Sequence, residues 1–322
     1  MYIIFNQIQS GENMKHLLSI ALTLSLSTHL MAEANIPLDK KEQKKILKQL
    51  SEKSSPYNAH EHFPKEYLLI PKNLPFLLNL TLHHPQSSEL NLTKEQLKKL
   101  TEIKSQRKPE VLKAAKEIKE LELKLVEQML KEGKKASEVE SLVDTIAKKK
   151  AEITKKHLLC IDQVRDILTL EQQKIVDNYA AAKRSHQKHS HRKKSHHKVQ
   201  ELFSLPHPVK VILANKEELN ITKEQEKQIE EKMLAVYPAK IHGSMDKAES
   251  IEAKIKAAVL TEQKSKEDVK SDIEALIEIK RTLSYDHIDA INTLGKILTK
   301  EQFDKVVELS AKKKHKHHKS NH

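Results

Sequence analysis

An eight-residue phrase occurs twice in this 322-residue chain, and it constrains the fold more than any other feature. The phrase begins at Glu89 and again at Glu218, and the only difference between the copies is Leu92 against Ile221. A similarity that recurs at a fixed offset, here 129 residues, is the signature of a duplicated structural unit. The chain is therefore predicted to contain two tandem copies of one unit.

The similarity extends well beyond this phrase. Leu74 recurs as Leu205 and Pro109 as Pro238, and the offset drifts only between 129 and 131, as small loop insertions would produce. Each unit is of ordinary domain size. The predicted organisation is an upstream extension with a signal peptide (1–34), an N-terminal segment (35–66), the first unit (67–182), a Lys/His-rich linker (183–200), the second unit (201–310) and a Lys/His-rich tail (311–322).

The composition favours helices over sheets. The chain has 4 Gly, 5 Phe, 6 Tyr and no Trp, whereas strands and their turns use aromatic residues and glycine. Lys, Glu, Leu, Ala, Ile and Gln dominate instead, and these residues favour long helices. We predict an all-α fold.

The repeated phrase contains a signal for the start of a helix. Thr93 and Gln96 have the spacing of a capping box, in which each side chain bonds a backbone amide of the other residue. Leu92 and Leu97 flank the box as a hydrophobic staple. The pattern occurs four times, at Leu92, Thr93 and Gln96; at Leu168, Thr169 and Gln172; at Ile221, Thr222 and Gln225; and at Leu298, Thr299 and Gln302.

Two prolines divide the helical pattern in each unit. Proline disfavours helix in the residue before it, so Pro109 and Pro238 are expected to end the first helices. A second helix is then expected over 110–132 in the first unit and over 239–260 in the second.

A long third helix follows in both units. Ser137 with Glu140, and more loosely Ser265 with Asp268, are expected to open it as capping boxes. Apolar residues at helical spacing continue to the next LTxxQ pattern, which begins a fourth helix. We expect four-helix units built on long antiparallel hairpins. The predicted stripe comprises Val139, Leu142, Ile146, Ile153, His157, Cys160, Val164 and Leu168, and Val269, Leu276, Leu283, His287, Ala290, Leu294 and Leu298.

Positive charge is concentrated in two segments. Residues 183–198 hold seven Lys or Arg and residues 311–322 hold five Lys, with no acid in either, so these segments account for twelve of the thirteen net positive charges. A nucleic-acid-binding fold would carry its basic stripe on structured elements, so we expect no nucleic-acid partner. The basic segments can contact anionic headgroups, which predicts at most peripheral membrane contact.

The N-terminus has the organisation of a secretory signal peptide. Lys15 and His16 precede an apolar stretch from Leu17 to Leu30, and Ala32-Glu33-Ala34 follows as a cleavage site. Met14 is predicted as the true start and Asn35 as the first mature residue, with export to the periplasm.

Paired LTxxQ motifs behind a signal peptide in a helical chain resemble the Spy/CpxP periplasmic family. Leu92, Thr93 and Gln96 match the motif, as do the sets at Thr169 and Thr299, and Ile221 is a conservative variant in the fourth. The resemblance covers both units.

The resemblance implies a bent helical hairpin, a cradle-shaped antiparallel dimer and ATP-independent binding of unfolded envelope proteins. Related members, similar to CnrX and ZraP, bind or sense metals, and others act as stress-response regulators. This chain departs from the family by carrying two units. The two units are hypothesised to form the cradle within one chain as a pseudo-dimer, with a homodimer as the alternative.

Histidine tracts are the strongest metal signal. Neutral imidazole is a good ligand for Zn, Ni and Cu, although a solvated basic spacer would have the same composition. His157 and His287 lie at equivalent places on the apolar stripes, where either a core role or a shared metal site fits. The candidate metal ligands in the tracts are His186, His189, His191, His196, His197, His315, His317, His318 and His322.

The sequence contains no constellation typical of catalysis. Cys160 follows His157 by three residues, but Ala290 stands at its place in the second unit, which favours an inert thiol over a nucleophile. We therefore expect no enzyme and no required cofactor. The leading prediction is an ATP-independent periplasmic chaperone, the first alternative is a metal-binding or metal-sensing protein, and the second is a regulatory partner of a membrane sensor kinase.

Overall fold

The all-α prediction is confirmed by the structure. Regular secondary structure in the described residues is helical, apart from one isolated bridge between Pro37 and Thr93. No helix among the described residues is both long and apolar enough to cross a bilayer. The predicted signal peptide, including Met14, lies outside the described residues. A computed structural model describes residues 37–53, 67–70, 74–190, 202–203 and 208–319.

Ten α-helices follow one another along the described residues. Short turns of 3₁₀ helix at Ser87–Leu90 and Ala136–Glu138 and a π-helical turn at Glu230–Leu234 lie between them. The α-helices are α1 (Lys40–Lys53), α2 (Leu77–His83), α3 (Lys94–Leu130), α4 (Glu140–Ile167), α5 (Leu170–Ser190), α6 (Pro208–Ala214), α7 (Lys223–Ile229), α8 (Tyr237–Leu260), α9 (Lys270–Ile297) and α10 (Lys300–Lys319).

The prediction that Pro109 ends a helix is wrong. Helix α3 is 37 residues long and contains Pro109 in its interior, so there is no separate helix over 110–132. Proline inside a helix removes one backbone hydrogen bond but does not force termination. Buried Val111 and Ala115 directly after the proline keep the helix packed, and this tertiary packing outweighs the local preference.

The corresponding prediction for Pro238 is confirmed, with a helix break just before it. Helix α7 ends at Ile229, the π-helical turn follows, and α8 begins at Tyr237 with Pro238 in its first turn. The first turn of a helix tolerates proline because its amides have no intrahelical partner.

The predicted capping box at Ser137 and Glu140 is displaced by two residues. Glu138 caps this turn instead, and its carboxylate accepts a hydrogen bond of 2.8 Å from the Lys135 amide. In the second unit the Asp268 carboxylate accepts from the Ser265 amide at 2.9 Å, as the sequence predicted. Lys135 and Ser265 are equivalent positions, so the two turns are built alike.

The predicted apolar stripes form the buried faces of the long helices α4 and α9. Most of their members are buried, including Ile146 and Val164 on α4 and Leu276 and Leu294 on α9. Cys160 is half-buried rather than fully enclosed. The 3/4 spacing in the sequence therefore identified the inward faces of α4 and α9.

The described residues fall into two compact units whose limits do not follow the repeats. The repeat boundaries at 67–182 and 201–310 therefore stay a prediction from the sequence. The first compact unit contains the described parts of Met1–Ala59, Leu77–Gln106 and Val164–Tyr179, and the second those of His60–Phe76, Arg107–Gln163 and Ala180–His322.

Within the second compact unit, ion pairs connect neighbouring helices in opposite sequence order. Glu110 pairs with Lys156 at 3.0 Å, and Glu117, further along α3, pairs with Lys149, earlier on α4. Helices α8 and α9 pack along each other in the same opposed sense. In that pair Lys254 binds Asp272 at 2.7 Å, and the Tyr237 hydroxyl lies 3.0 Å from that of Thr293.

Candidate functional site

The LTxxQ motifs of the first repeat meet in space through their glutamines. All four predicted capping boxes are present, and at Thr93 the Gln96 Oε1 atom accepts from the Thr93 amide at 3.0 Å. The Gln96 Nε2 atom donates to Gln172 Oε1 at 2.8 Å, and Gln172 Nε2 donates back to Gln96 Oε1 at 3.2 Å. Each glutamine thus caps its own helix and binds the other cap.

The second repeat contains the same arrangement. Gln225 Nε2 donates to Gln302 Oε1 at 2.7 Å, and the reverse bond is 3.2 Å. Gln225 also donates to the Ile297 carbonyl at 3.0 Å, as Gln96 does to the Ile167 carbonyl at 2.9 Å. We call each reciprocal pair a glutamine pair.

The residues before the cap explain why the phrase is conserved between the two repeats. Asn91 and Asn220 have φ values of 46° and 51°, a left-handed conformation that asparagine tolerates better than most residues. This turn presents the carbonyl of Leu90 to Gln172 at 2.9 Å, and that of Leu219 to Gln302 at 3.1 Å. The phrase is therefore a structural joint between two helix starts.

A cleft of about 490 Å³ lies beside the glutamine pair of the first compact unit. Most of the residues that line it are of polar types, and Thr93, Gln96, Thr169 and Gln172 among them form the caps themselves. Within the described residues, no group of three His, Cys, Asp or Glu side chains has a geometry that could hold a metal ion. The cleft is lined by Pro37, Asn91, Thr93, Glu95, Gln96, Lys99, Asp166, Ile167, Thr169 and Gln172.

Two buried lysines form the second site, and the sequence reasoning missed them. Lys280 on α9 is 1% exposed and binds Glu252 on α8 at 2.7 Å. Lys150 on α4 is 3% exposed and binds Glu122 on α3 at 2.7 Å. Burial lowers the pKa of Lys280, Glu252 opposes this, and the nearby charge of Lys150 lowers it further. One signal was present in the sequence: Lys150 and Lys280 are 130 residues apart, and so are their partners Glu122 and Glu252.

Each buried lysine also donates to the backbone of a short segment outside the α-helices. We call residues 67–70 the first strap and residues 202–203 the second strap. Lys280 Nζ donates to the Leu69 carbonyl at 2.5 Å, and Lys150 Nζ donates to the Leu202 carbonyl. All of these residues belong to the second compact unit. The first strap thus contacts a lysine of the second repeat, and the second strap a lysine of the first.

The two histidines on the apolar stripes are both buried. The ring of His157, 8% exposed, packs against Phe76 with centroids 4.4 Å apart, and His287 is 5% exposed. Neither belongs to a group of potential metal ligands in the described residues. A shared metal site for this pair stays a prediction.

The histidine tracts lie largely beyond what the structure describes. The backbone of α5 includes positions 186 and 189, and that of α10 includes positions 315, 317 and 318, but the side chains there are outside the described set. His191, His196, His197 and His322 lie outside the described residues altogether. The metal assignment of these nine histidines stays a prediction.

Burial raises the pKa of the Cys160 thiol to about 11, against a smaller opposing effect of the Arg107 charge. A thiolate is the reactive form of cysteine, so this environment disfavours nucleophilic chemistry. The geometry thus agrees with an inert thiol at this position.

The fold and these two sites define an all-helical chain with duplicated helix joints and duplicated buried ion pairs. Comparison with known proteins adds no relative, because no family model, characterised protein or solved structure matches the chain.

Proposed function

We propose that this protein is an ATP-independent chaperone of the cell envelope, related to the Spy/CpxP family, that binds unfolded or misfolded proteins. The observation that carries the proposal is the use of the LTxxQ motif, which caps a helix four times and is joined by a glutamine pair in both repeats. A motif with one consistent structural role across two copies is stronger support for a family relationship than four short sequence matches alone.

Exposed apolar side chains supply a surface for unfolded chains. Leu234 and Val236 are 40% and 41% exposed next to the π-helical turn, and Leu123 on α3 is 61% exposed. Apolar contacts spaced along a charged helical surface are individually weak, so a bound chain can leave without ATP. Unfolded proteins expose the apolar residues that such contacts require.

The test uses the chain from Asn35 onward with a chemically denatured client and no ATP. Aggregation, measured by light scattering, should be suppressed at near-stoichiometric ratio, and L234S/V236S should weaken the suppression. E231S/K232S, at exposed positions of the same turn, is the matched control and should behave like the unmodified chain. Absence of suppression by the unmodified chain would reject the proposed function.

We further propose that the two repeats form the intramolecular counterpart of a family dimer. The reciprocal strap contacts support this, because each strap binds a lysine of the other repeat within one compact unit. Sedimentation velocity should then give a monomer. A concentration-dependent dimer would instead support the homodimer alternative.

Metal binding is the second candidate function, favoured by one observation. The helical backbones of α5 and α10 extend into the histidine tracts, and positions 186 and 189, like 315 and 318, are three residues apart. Residues three apart lie on one helix face, where a pair of imidazoles can share an ion.

Calorimetry with Zn, Ni and Cu tests this second function. A variant with all nine tract histidines changed to asparagine keeps the chain length and removes the ligands, so its affinity should fall at least tenfold. Unchanged affinity would transfer the assignment to His157 and His287. No binding by the unmodified chain would reject the metal function.

A further inference from the structure

We infer that the two straps occupy the client-binding sites of this protein, so that a short apolar stretch of an unfolded chain binds by replacing a strap. The inference rests on the proposed chaperone function and specifies where and how the client binds.

The first strap is held through its main chain. The Leu69 amide donates to Thr154 Oγ1 on α4 at 2.8 Å, and the Leu69 carbonyl accepts from Lys280 on α9 at 2.5 Å. Thr154 is 0% exposed and Lys280 is 1% exposed; besides the strap, Thr154 bonds the Lys150 carbonyl of its own helix and Lys280 pairs with Glu252 on α8. Every polypeptide offers an amide and a carbonyl, so this recognition is largely independent of sequence.

The side chains of the strap are largely removed from solvent. Leu68, Leu69 and Ile70 are at most 3% exposed, and half-buried Tyr67 lies under the Lys150 ammonium, 5.7 Å from ring centroid to Nζ. The strap thus buries three consecutive aliphatic side chains, while α4 of the first repeat bonds its Leu69 amide and α9 of the second repeat bonds its Leu69 carbonyl. An unfolded client exposes stretches of this composition, whereas a folded protein buries them.

The second strap shows that the same kind of site accepts a different sequence. Lys150 stands at the position equivalent to Lys280 and donates to the Leu202 carbonyl, as Lys280 does to Leu69. Leu202 and Phe203 are 1% and 3% exposed. One site therefore holds Leu-Leu-Ile and its duplicate holds Leu-Phe, which is the tolerance that a binder of varied unfolded chains requires.

Replacement of the strap is more favourable than simple opening. If a strap left without a substitute, a buried ammonium would lose its carbonyl partner, and at the first site the Thr154 hydroxyl would also lose its amide donor. An incoming peptide restores the same hydrogen bonds. The chemistry of the site thus selects exchange between the intramolecular segment and a client.

The first experiment weakens the intramolecular competitor. A fluorescein-labelled peptide with the sequence of residues 65–72 is titrated against the full chain from Asn35 and its variants, with anisotropy as the readout. L69S/I70S should bind the peptide at least tenfold more tightly than the unmodified chain, because a tethered segment competes at high effective concentration. L170S/L213S, which removes two exposed apolar side chains outside the proposed client surface, should show no gain. A helical L69S/I70S chain with unmodified affinity would overturn the inference.

The second experiment changes one residue of the strap and leaves Ile70 in place, so it remains decisive if L69S/I70S does not fold. In a C160S background, L69C/T154C allows a disulfide to fix the first strap to α4. One molecule of added oxidised glutathione takes up the two electrons and two protons of the thiol pair and leaves as two molecules of reduced glutathione while the protein disulfide forms. The oxidised form should bind half as much peptide at saturation as the reduced form, with C160S alone unaffected by reductant. Equal binding in both redox states would overturn the inference.

The two proposals fail in different ways. If the peptide binds the variants as expected but aggregation of denatured clients is not suppressed, the strap sites stand and the chaperone function fails. If aggregation is suppressed equally by oxidised and reduced L69C/T154C and peptide binding does not change, the chaperone function stands and the strap sites are rejected.

Discussion

The two repeats share their helix joints and buried lysines but differ in the first long helix. In the first repeat α3 passes through Pro109 without a break, whereas in the second repeat α7, a π-helical turn and α8 cover the equivalent stretch around Pro238. Proline therefore does not decide the outcome at this position. The features that repeat are those that make contacts across the fold.

The second repeat has one additional residue between its cap and its buried acid. The offset between equivalent positions is 129 at the caps, Thr93 and Thr222, and 130 at the buried acids, Glu122 and Glu252. Cap and acid keep their partners in both repeats despite this additional residue. The second repeat also differs by its π-helical turn, where the Ala235 amide donates to the Glu230 carbonyl five residues earlier at 3.0 Å.

The largest expected difference between the repeats lies in the buried lysines. K280A leaves Glu252, whose side chain is 6% exposed, without its partner and should reduce the free energy of unfolding by about 3–5 kcal/mol. K150A should cost less, about 1–3 kcal/mol, because the Glu122 side chain is 21% exposed and water can solvate it. Urea unfolding followed by circular dichroism measures both. A larger loss for K150A would contradict the burial argument.

Replacing the prolines should increase stability in the first repeat and leave it almost unchanged in the second. P109A restores an amide that can donate inside α3, so it should stabilise the chain by about 1–3 kcal/mol. P238A should change stability by less than about 0.5 kcal/mol, because the proline already lies in the first turn of α8. Thermal unfolding of the two variants provides the measurement. Equal effects would mean that the break before Pro238 is not what accommodates it.

The glutamine pairs should respond alike in both repeats. Q96A and Q225A each remove a cap and three further hydrogen bonds, and each should lower the free energy of unfolding by about 1–2 kcal/mol. K223A, at an exposed position of α7, serves as the control and should stay within about 0.5 kcal/mol of the unmodified chain. A clear difference between Q96A and Q225A in urea unfolding would show that the two joints are not equivalent.

The smallest expected effect is a pH dependence confined to the first repeat. Partial desolvation, and then the charge of Lys104, lowers the pKa of His83 from 6.5 to about 4, but the residue is exposed to solvent, so the effect on stability is small. The unfolded chain therefore binds a proton between pH 6.5 and 4 that the folded chain does not, so this contribution to stability is present above pH 6.5 and lost as the pH falls towards 4. H83Q should lose less melting temperature between pH 7 and pH 5 than the unmodified chain. Ala214 stands at the equivalent place of the second repeat, so hydrogen exchange in α6 should lack this acid response.

The sequence predicted the features that depend on near neighbours. All four caps, the inward faces of α4 and α9, and the all-α class follow from residues within a few turns of one another. The glutamine pairs do not, because Gln96 and Gln172 are 76 residues apart and nothing local indicates that a cap will meet another cap. Their joint role depends on the packing of whole helices.

Lys150 and Lys280 were missed for a different reason. Lysine is rarely buried, so a lysine on a helix is normally assigned to the exposed face. The prediction at Pro109 failed similarly, because a statistical preference of the preceding residue was overridden by packing of Val111. In both cases the local rule was sound and a contact distant in sequence decided the outcome.

The contacts of the first strap determine the order in which its hydrogen bonds can form as the chain is synthesised. Its Leu69 amide can meet Thr154 after 85 further residues, but its carbonyl must wait for Lys280, 211 residues away. A chain made from its N-terminus therefore satisfies this segment in two stages, one for each repeat. A chain that has not yet formed α9 would hold Leu69 through its amide alone and leave its carbonyl without the Lys280 donor.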